Sequence, residues 1–317
     1  MNTSPFRNLP TRVLVAVVAI PLIVWVTMVG GYPFFAFVAL VSALSLYEFY
    51  MLAEKKGAFP LKTIGIIAGF IVNLSFIYER LQVDVFRFFE ARDIHLSMFS
   101  QLQFLLVVQL VFLLLVLLIE LFRKRGSPTV NLATTVLGVS IISLFYGTLI
   151  MTRELFPYGF PVHKFFPTSF ADAQEFQTIT RWGGYTVVSV FATIWICDTA
   201  AYFGGLTLGR HKLFERVSPN KSWEGAAFGL LFAFLTMMAA RALVLDYMTM
   251  KDALILGGIV GVFGQLGDLV ESRFKRDAGV KDSSSIIPGH GGVLDRFDSL
   301  VFVAPIVYLY IDFIVLS

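Results

Sequence analysis

Apolar residues run through this chain in long blocks parted by short polar or charged stretches, and a helix needs about 20 such residues to cross a ~30 Å hydrocarbon core. Windows of that kind stand at roughly 12–30, 33–52, 62–78, 102–122, 131–152, 183–206, 224–245, 252–271 and 299–316. The clearest, Phe104 to Ile119, has Gln109 as its only polar side chain, whereas the third is interrupted by Gly65, Gly69 and Asn73. The pattern predicts an all-α, polytopic integral membrane protein with about nine transmembrane helices. Arg7 and Arg12 precede the first window as they would in a signal peptide, but its apolar run is long and no small-x-small cleavage site follows, so it is expected to be a retained span.

Two connectors are long. Residues 79–101 carry Leu81, Val85, Phe88, Phe89 and Leu96 at near-helical spacing among charges, which predicts a helix lying in the interface. Residues 154–182 set Pro157, Pro161 and Pro167 among Phe156, Tyr158, Phe160, Phe165 and Phe166, a segment expected against the membrane surface. The chain thus divides into an N-terminal transmembrane half, 1–153, of about five helices with the interfacial segment 79–101, and a C-terminal half, 154–317. The latter holds two charged loops, 207–223 and 272–298.

Composition agrees with this reading. Of 317 residues, 57% are hydrophobic, 33 are Phe and only 15% are charged, far from the mix of a soluble domain. A single cysteine, Cys197, excludes a disulfide framework and any Cys-cluster zinc or iron–sulfur site. A net charge of +3 is too small to point to nucleic acid, but its distribution is informative. With the N-terminus in the cytoplasm, 17 of the 25 basic residues, among them Lys55, Lys56, Arg123 to Arg125, Lys221, Lys275 and Arg296, fall on the cytoplasmic side. The other side keeps Arg80, Arg87, Arg92, Arg153, Lys164, Arg181, Arg241 and Lys251, so the N-terminus is expected inside and the C-terminus outside.

Candidate chemistry is concentrated in the second half. Glu48 and Glu120 lie near span ends, where a carboxylate reaches water or a neighbouring lysine, and no role is expected of them. Asp198 falls near the middle of the sixth window, where a carboxylate is costly unless it faces a polar cavity or a partner; a buried structural hydrogen bond is the alternative. In the first loop, Ser218-Pro-Asn-Lys-Ser-Trp-Glu-Gly combines a turn with helix-capping residues. Free N–H groups at the start of that helix, together with Lys221, suit an anion; an ordinary capped helix is the other reading. No P-loop is present, since Gly204 and Gly209 are not followed by Lys-Ser/Thr.

In the second loop acids and bases interleave. Asp268, Glu271 and Lys275 share a helix face at i, i+3 and i+7, and Asp295 and Asp298 share one at i, i+3. Two helix ends could thus converge Asp268, Asp295 and Asp298 as hard oxygen ligands, which suit Mg²⁺ held jointly with substrate phosphates. Lys275, Arg276, Lys281 and Arg296 would hold phosphate oxygens, and Gly289, Gly291 and Gly292 would let backbone approach a ligand closely. His290 on its own is more readily a structural residue than a ligand, and His95, His163 and His211 carry no assigned role.

At this stretch the chain resembles the phosphatidate cytidylyltransferases, or CDP-diacylglycerol synthases. Their pattern is filled by Ser272, Phe274, Lys275, Arg276, Lys281, Asp282, Ser284, Ile287, Pro288, His290, Gly291, Gly292, Val293, Asp295, Arg296, Phe297 and Asp298 without a departure. Asp198-Thr-Ala-Ala-Tyr, the Ser218 motif and Gly267-Asp268 are similar to further family elements in the same order, while the first half matches only in hydrophobic character. The resemblance implies Mg²⁺-dependent transfer of CMP from CTP to phosphatidic acid, releasing pyrophosphate and serving phospholipid biosynthesis. It implies Asp268, Asp295 and Asp298 as metal ligands, a second cation being an open alternative. Lys275 and Arg296 would join them in catalysis. Substrates would meet Asp198, Ser218, Asn220, Lys221, Ser222, Arg276, Lys281, His290, Gly291 and Gly292.

Two rival readings differ in kind. A CTP-dependent lipid kinase would pass the γ-phosphate to an alcohol and release CDP, and a transporter would use Asp198, Asp268 and Glu271 along an ion path. The complete C-terminal pattern speaks against the first, and the lack of an internal repeat against the second. Gly257 and Gly261 stand at GxxxG spacing, which suits close helix packing within the chain or between subunits, and a homodimer is expected. The lipid bilayer is an expected partner and nucleic acid is not. The expected location is a bacterial cytoplasmic membrane with the site facing the cytoplasm, an internal eukaryotic membrane being the alternative.

Overall fold

The computed structural model describes residues 9–90, 92, 98–166, 172–287, 289 and 291–317. Arg7, His95, Leu96, Pro167, Pro288 and His290 lie outside them. The first half comprises α1 (Leu9–Val29), α2 (Gly31–Glu54), α3 (Lys62–Ser75), α4 (Tyr78–Glu90), α5 (Gln101–Phe122), α6 (Pro128–Gly138) and α7 (Leu144–Tyr158). α6 passes into α7 through a π-turn at Val139–Ser143. The second half holds α8 (Val162–Phe165), α9 (Ala173–Leu208), a hairpin of β1 (Lys212–Phe214) and β2 (Ser218–Ser222), α10 (Trp223–Leu243), α11 (Met250–Asp277) and α12 (Leu294–Tyr310), which ends in a second π-turn.

The protein is an all-α membrane protein. Among the described residues 7 helices are each long and apolar enough to cross a bilayer, α6 and α7 counting as one. Every predicted window falls on a helix, but two do not make a full crossing unaided. α1 offers a shorter apolar stretch, Val15–Val29, and the third window breaks: α3 ends at Ser75 and the chain bends by 72° into α4. Taken together as one broken span, α3 and α4 raise the number to 8. α4 has the amphipathic character predicted for its segment, and it is tied to the bundle by Arg80 Nε to Glu154 Oε2 (2.8 Å) and Tyr32 OH to Asp84 Oδ2 (2.6 Å).

Local signals set several helix starts. Ser100, Asp172 and Thr249 each accept from a backbone N–H of the first turn, while Gln103, Glu175 and Asp252 reach back to the capping residue's own N–H. Burial then sorts the helices. The crossing window of α2 is 61% buried, against 11% for α5 and 17% for α10, so α2 runs through the packed centre while α5 and α10 show most of their apolar surface outward. In the second half, Gly257 and Gly261 of α11 let α10 come so close that a Cβ at either would press on Ala233, Phe234 or Leu230. The GxxxG pair is therefore used inside the chain.

Packing defines two features of the segments expected at the outer end. Arg153, placed with the outer basic residues, is fully buried and donates to the carbonyls of Thr27 (3.1 Å) and Met28 (3.2 Å), so it caps the C-terminal end of α1. The aromatic run after it packs against the bundle. Phe160 and Phe166 stack around Trp182, and Phe156 and Phe160 pack on Tyr247, joining this connector to α9 and the α10–α11 turn.

Candidate active site

One large cavity, of about 1030 Å³, opens between α1, α9, α10, α11, α12 and the hairpin. Its lining is mixed in chemistry. Val15, Ala16, Ala19, Ile20 and Ile23 of α1 with Trp195, Tyr202 and Leu206 of α9 make an apolar part. The same cavity is lined by Asp198, Ser218, Asn220, Lys221, Ser222, Asp268, Asp295, Arg296 and Asp298, nine of the residues singled out in the sequence. Lys212 and Gln265 also line it and were not foreseen as site residues.

The first loop is a β-hairpin, which the helical reading missed. Its strands are three and five residues long, too short to leave a period-2 signature, and Lys212 pairs with Ser222 and Phe214 with Ser218. The base of the hairpin is fastened by Glu224, whose carboxylate accepts from the backbone N–H of Arg210 (3.1 Å) and meets the Nδ1 of His211 at 2.6 Å. Ser222 caps α10 as its sequence suggested, accepting from Gly225 N at 3.1 Å. Lys221, carried at the end of β2, sends its ammonium to Asp268 Oδ2 at 2.6 Å, while Ser272, one turn further along α11, donates to Oδ1 at 3.2 Å.

Asp198 of α9 is exposed onto the cavity, and Asp298 of α12 accepts from the backbone N–H of Ser299 at 2.6 Å. Asp198, Asp268 and Asp298, carried by three different helices, all line the one cavity. Asp295 is held differently. Its carboxylate takes Lys275 Nζ (2.7 Å), Ser283 N (2.9 Å), Ser283 Oγ (3.0 Å) and Gly292 N (2.8 Å), filling most of its acceptor capacity. The three predicted ligands Asp268, Asp295 and Asp298 thus share one cavity without forming a compact set. Among the described residues no group of three or more His, Cys, Asp or Glu is close enough to hold a metal by itself.

Several predicted phosphate contacts sit elsewhere. The ammonium of Lys275 is enclosed, in ion-pair contact with Glu271 and Asp295, because two buried carboxylates need a cation between them. Arg276 turns away from the cavity and donates to the carbonyls of Val217 (3.3 Å) and Val280 (3.0 Å), tying the hairpin to the end of α11. Lys281 is exposed outside the cavity lining, and Gly291 and Gly292 shape the loop without lining it. Gly291 has φ of +85°, and a Cβ on Gly292 would fall on Ser283 Oγ and the Glu48 carboxylate. The predicted role of His290 concerns a residue outside those described.

Glu48 is the residue that sequence reasoning passed over. Far from reaching water, it is fully buried on α2, and its carboxylate accepts from Ser284 Oγ (2.6 Å), Ser283 Oγ (2.9 Å), Val293 N (2.9 Å) and Leu294 N (2.7 Å). The last two are free donors at the start of α12, where a carboxylate is also favoured by the helix dipole. Glu120 is likewise buried, and pairs with Arg123 Nη1 at 2.7 Å.

Comparison with known proteins agrees with this geometry. A family model described as the cytidylyltransferase family matches residues 10–314. A phosphatidate cytidylyltransferase of Synechocystis sp. is 34% identical over 316 residues, 96% of this chain and 97% of that protein. One from Staphylococcus saprophyticus is 36% identical over 209 residues, covering 65% of this chain and 80% of the relative. One from Staphylococcus aureus strain COL is 48% identical over 126 residues, 39% of this chain and 48% of its own. With a match over nearly its whole length and nine of the singled-out residues gathered around one cavity, this chain belongs to the cytidylyltransferase family, a family of nucleotidyl-transferring enzymes.

Proposed function

We propose that the protein is a phosphatidate cytidylyltransferase, which joins CTP and phosphatidic acid to give CDP-diacylglycerol and pyrophosphate for phospholipid biosynthesis. The mixed lining of the cavity carries this reading: apolar side chains of α1 and α9 suit acyl chains, and the acids and bases in the same cavity suit two phosphate-bearing groups. An oxygen of the lipid phosphate attacks the α-phosphorus of CTP, and the bond from that phosphorus to the oxygen bridging the β-phosphate breaks. A phosphomonoester is already largely dianionic near neutrality, its second pKa being about 6, so no strong base is needed. The obstacle is bringing two polyanions together, and charge screening with in-line positioning meets it.

The donor set fits Mg²⁺. Asp268 and Asp298, with Asp198 in the same cavity lining, offer hard carboxylate oxygens, and Mg²⁺ needs only one or two carboxylates beside substrate phosphates. Asp268 and Asp298 would hold it together with substrate phosphates, Asp295 being already taken by Lys275, Ser283 and Gly292, and when bound it supplies charge neutralisation at the phosphates. Lys221 and Arg296 line the cavity and screen phosphate oxygens, with Asn220 and Ser222 at the α10 end and Asp198 on the lipid's path. The positive-inside bias supports a cytoplasm-facing site, reached by CTP from the bacterial cytoplasm, with the N-terminus inside. A homodimer would use the outward faces of α5 or α10, since Gly257 and Gly261 are occupied within the chain.

The test is a product assay on purified protein in detergent with phosphatidic acid and CTP labelled at the α-phosphate, with Mg²⁺ or with excess EDTA. Label entering lipid together with pyrophosphate release is the expected result. No label in lipid from folded protein overturns the reading, and γ-labelled CTP with an alcohol acceptor then tests a kinase.

A further inference from the structure

We infer that Glu48 is a positioning residue for cytidylyl transfer, holding Ser283, Ser284 and the start of α12 at Val293 and Leu294 so that Asp295, Arg296 and Asp298 meet the α11 face that carries Asp268. The inference rests on the reaction proposed above and extends it to the N-terminal half, where no site residue was expected.

Glu48 and Asp295 grip the segment from its two sides. Glu48 takes Ser284 Oγ, Val293 N and Leu294 N, Asp295 takes Ser283 N and Gly292 N, and the Ser283 hydroxyl lies 2.9 Å from one carboxylate and 3.0 Å from the other. That hydroxyl has one proton and two acceptors, so any turn of Asp295 toward the cavity changes what Ser283 can give Glu48. Gly292 lies between the carboxylates with no room for a side chain. No cation is paired with Glu48 among the described residues, and its charge is met by the four donors and the start of α12. Since Tyr146 OH also donates to the carbonyl of Phe297 at 3.2 Å, the first half holds the start of α12 at two points.

Glu48→Gln keeps the shape but turns one acceptor into a donor, opposing two of the four N–H or O–H groups. The experiment compares wild type, Glu48→Gln and Ser284→Ala as purified full-length protein by amide hydrogen exchange over 283–298 and by steady-state kinetics with α-labelled CTP. For Glu48→Gln, exchange at Gly292 to Leu294 is expected to speed up, and kcat to fall by about 30-fold or more with KM for CTP within about threefold. Ser284→Ala, which removes one donor, is expected to lower kcat by about three- to tenfold and carries the test if Glu48→Gln does not fold. Wild-type kcat in either folded variant, or a loss confined to melting temperature, overturns the inference. A wild type that labels no lipid sinks the reaction instead, and exchange that stays slow in Glu48→Gln then also overturns the grip on the segment.

Discussion

Lys221 and Asp268 join the two motif-bearing loops: the ammonium at the end of the hairpin lies 2.6 Å from the carboxylate on α11, both about one-third exposed, at 28% and 32%. Each holds the other where an anion and a cation would compete for them. Such a pair is half screened and contributes little to folding, so its conservation of geometry matters for the site more than for stability.

Asp268→Asn is expected to lower cytidylyl transfer by about 100-fold or more while the melting temperature in detergent changes little. The assay with α-labelled CTP reads the first and a thermal melt the second. Activity near that of the wild type would remove Asp268 from the reacting groups.

Lys275 predicts the opposite balance. Lys275→Met leaves Glu271 and Asp295 buried side by side without their cation, at an expected cost of ~3–5 kcal/mol. The double change Lys275→Met with Glu271→Gln should recover part of that loss, measured as melting temperature, because it removes one of the two charges. A single variant as stable as wild type would refute the buried triad.

The apolar lining of the cavity predicts a split between substrates. Ala19→Trp adds bulk to the apolar lining contributed by α1 and is expected to raise KM for phosphatidic acid by about tenfold with KM for CTP little changed. Activity across a series of acyl-chain lengths checks it, the longest chains losing most. Equal effects on both substrates would place the lipid elsewhere.

Arg276 is a tie between elements. Arg276→Ala frees the carbonyls of Val217 and Val280 and should loosen the hairpin, seen as faster proteolysis between β1 and β2. Lys281→Ala, at an exposed position outside the cavity, should leave that proteolysis at the wild-type rate. Identical cleavage in both variants would show that Arg276 does not hold the hairpin.

The spans, the helix caps and the motif residues were legible from the chain itself, because each depends on neighbours a few positions away. An apolar block long enough to cross a bilayer must be helical, and Ser222 before Gly225 caps a helix whatever surrounds it. The hairpin escaped notice because strands of three and five residues carry too little periodicity to register.

What only the tertiary structure decided is which charge meets which. Glu48 reads like any carboxylate near the end of a span until α2 is packed against the start of α12, 245 positions further on. Lys275 and Arg276 are adjacent in a basic run, yet one is enclosed between two acids and the other ties backbone carbonyls, because successive residues on a helix point about 100° apart. The bend between α3 and α4 and the burial of Arg153 are likewise choices of packing. A residue's type dictates that a buried charge must find donors or a counter-charge; only the approach of distant helices supplies them.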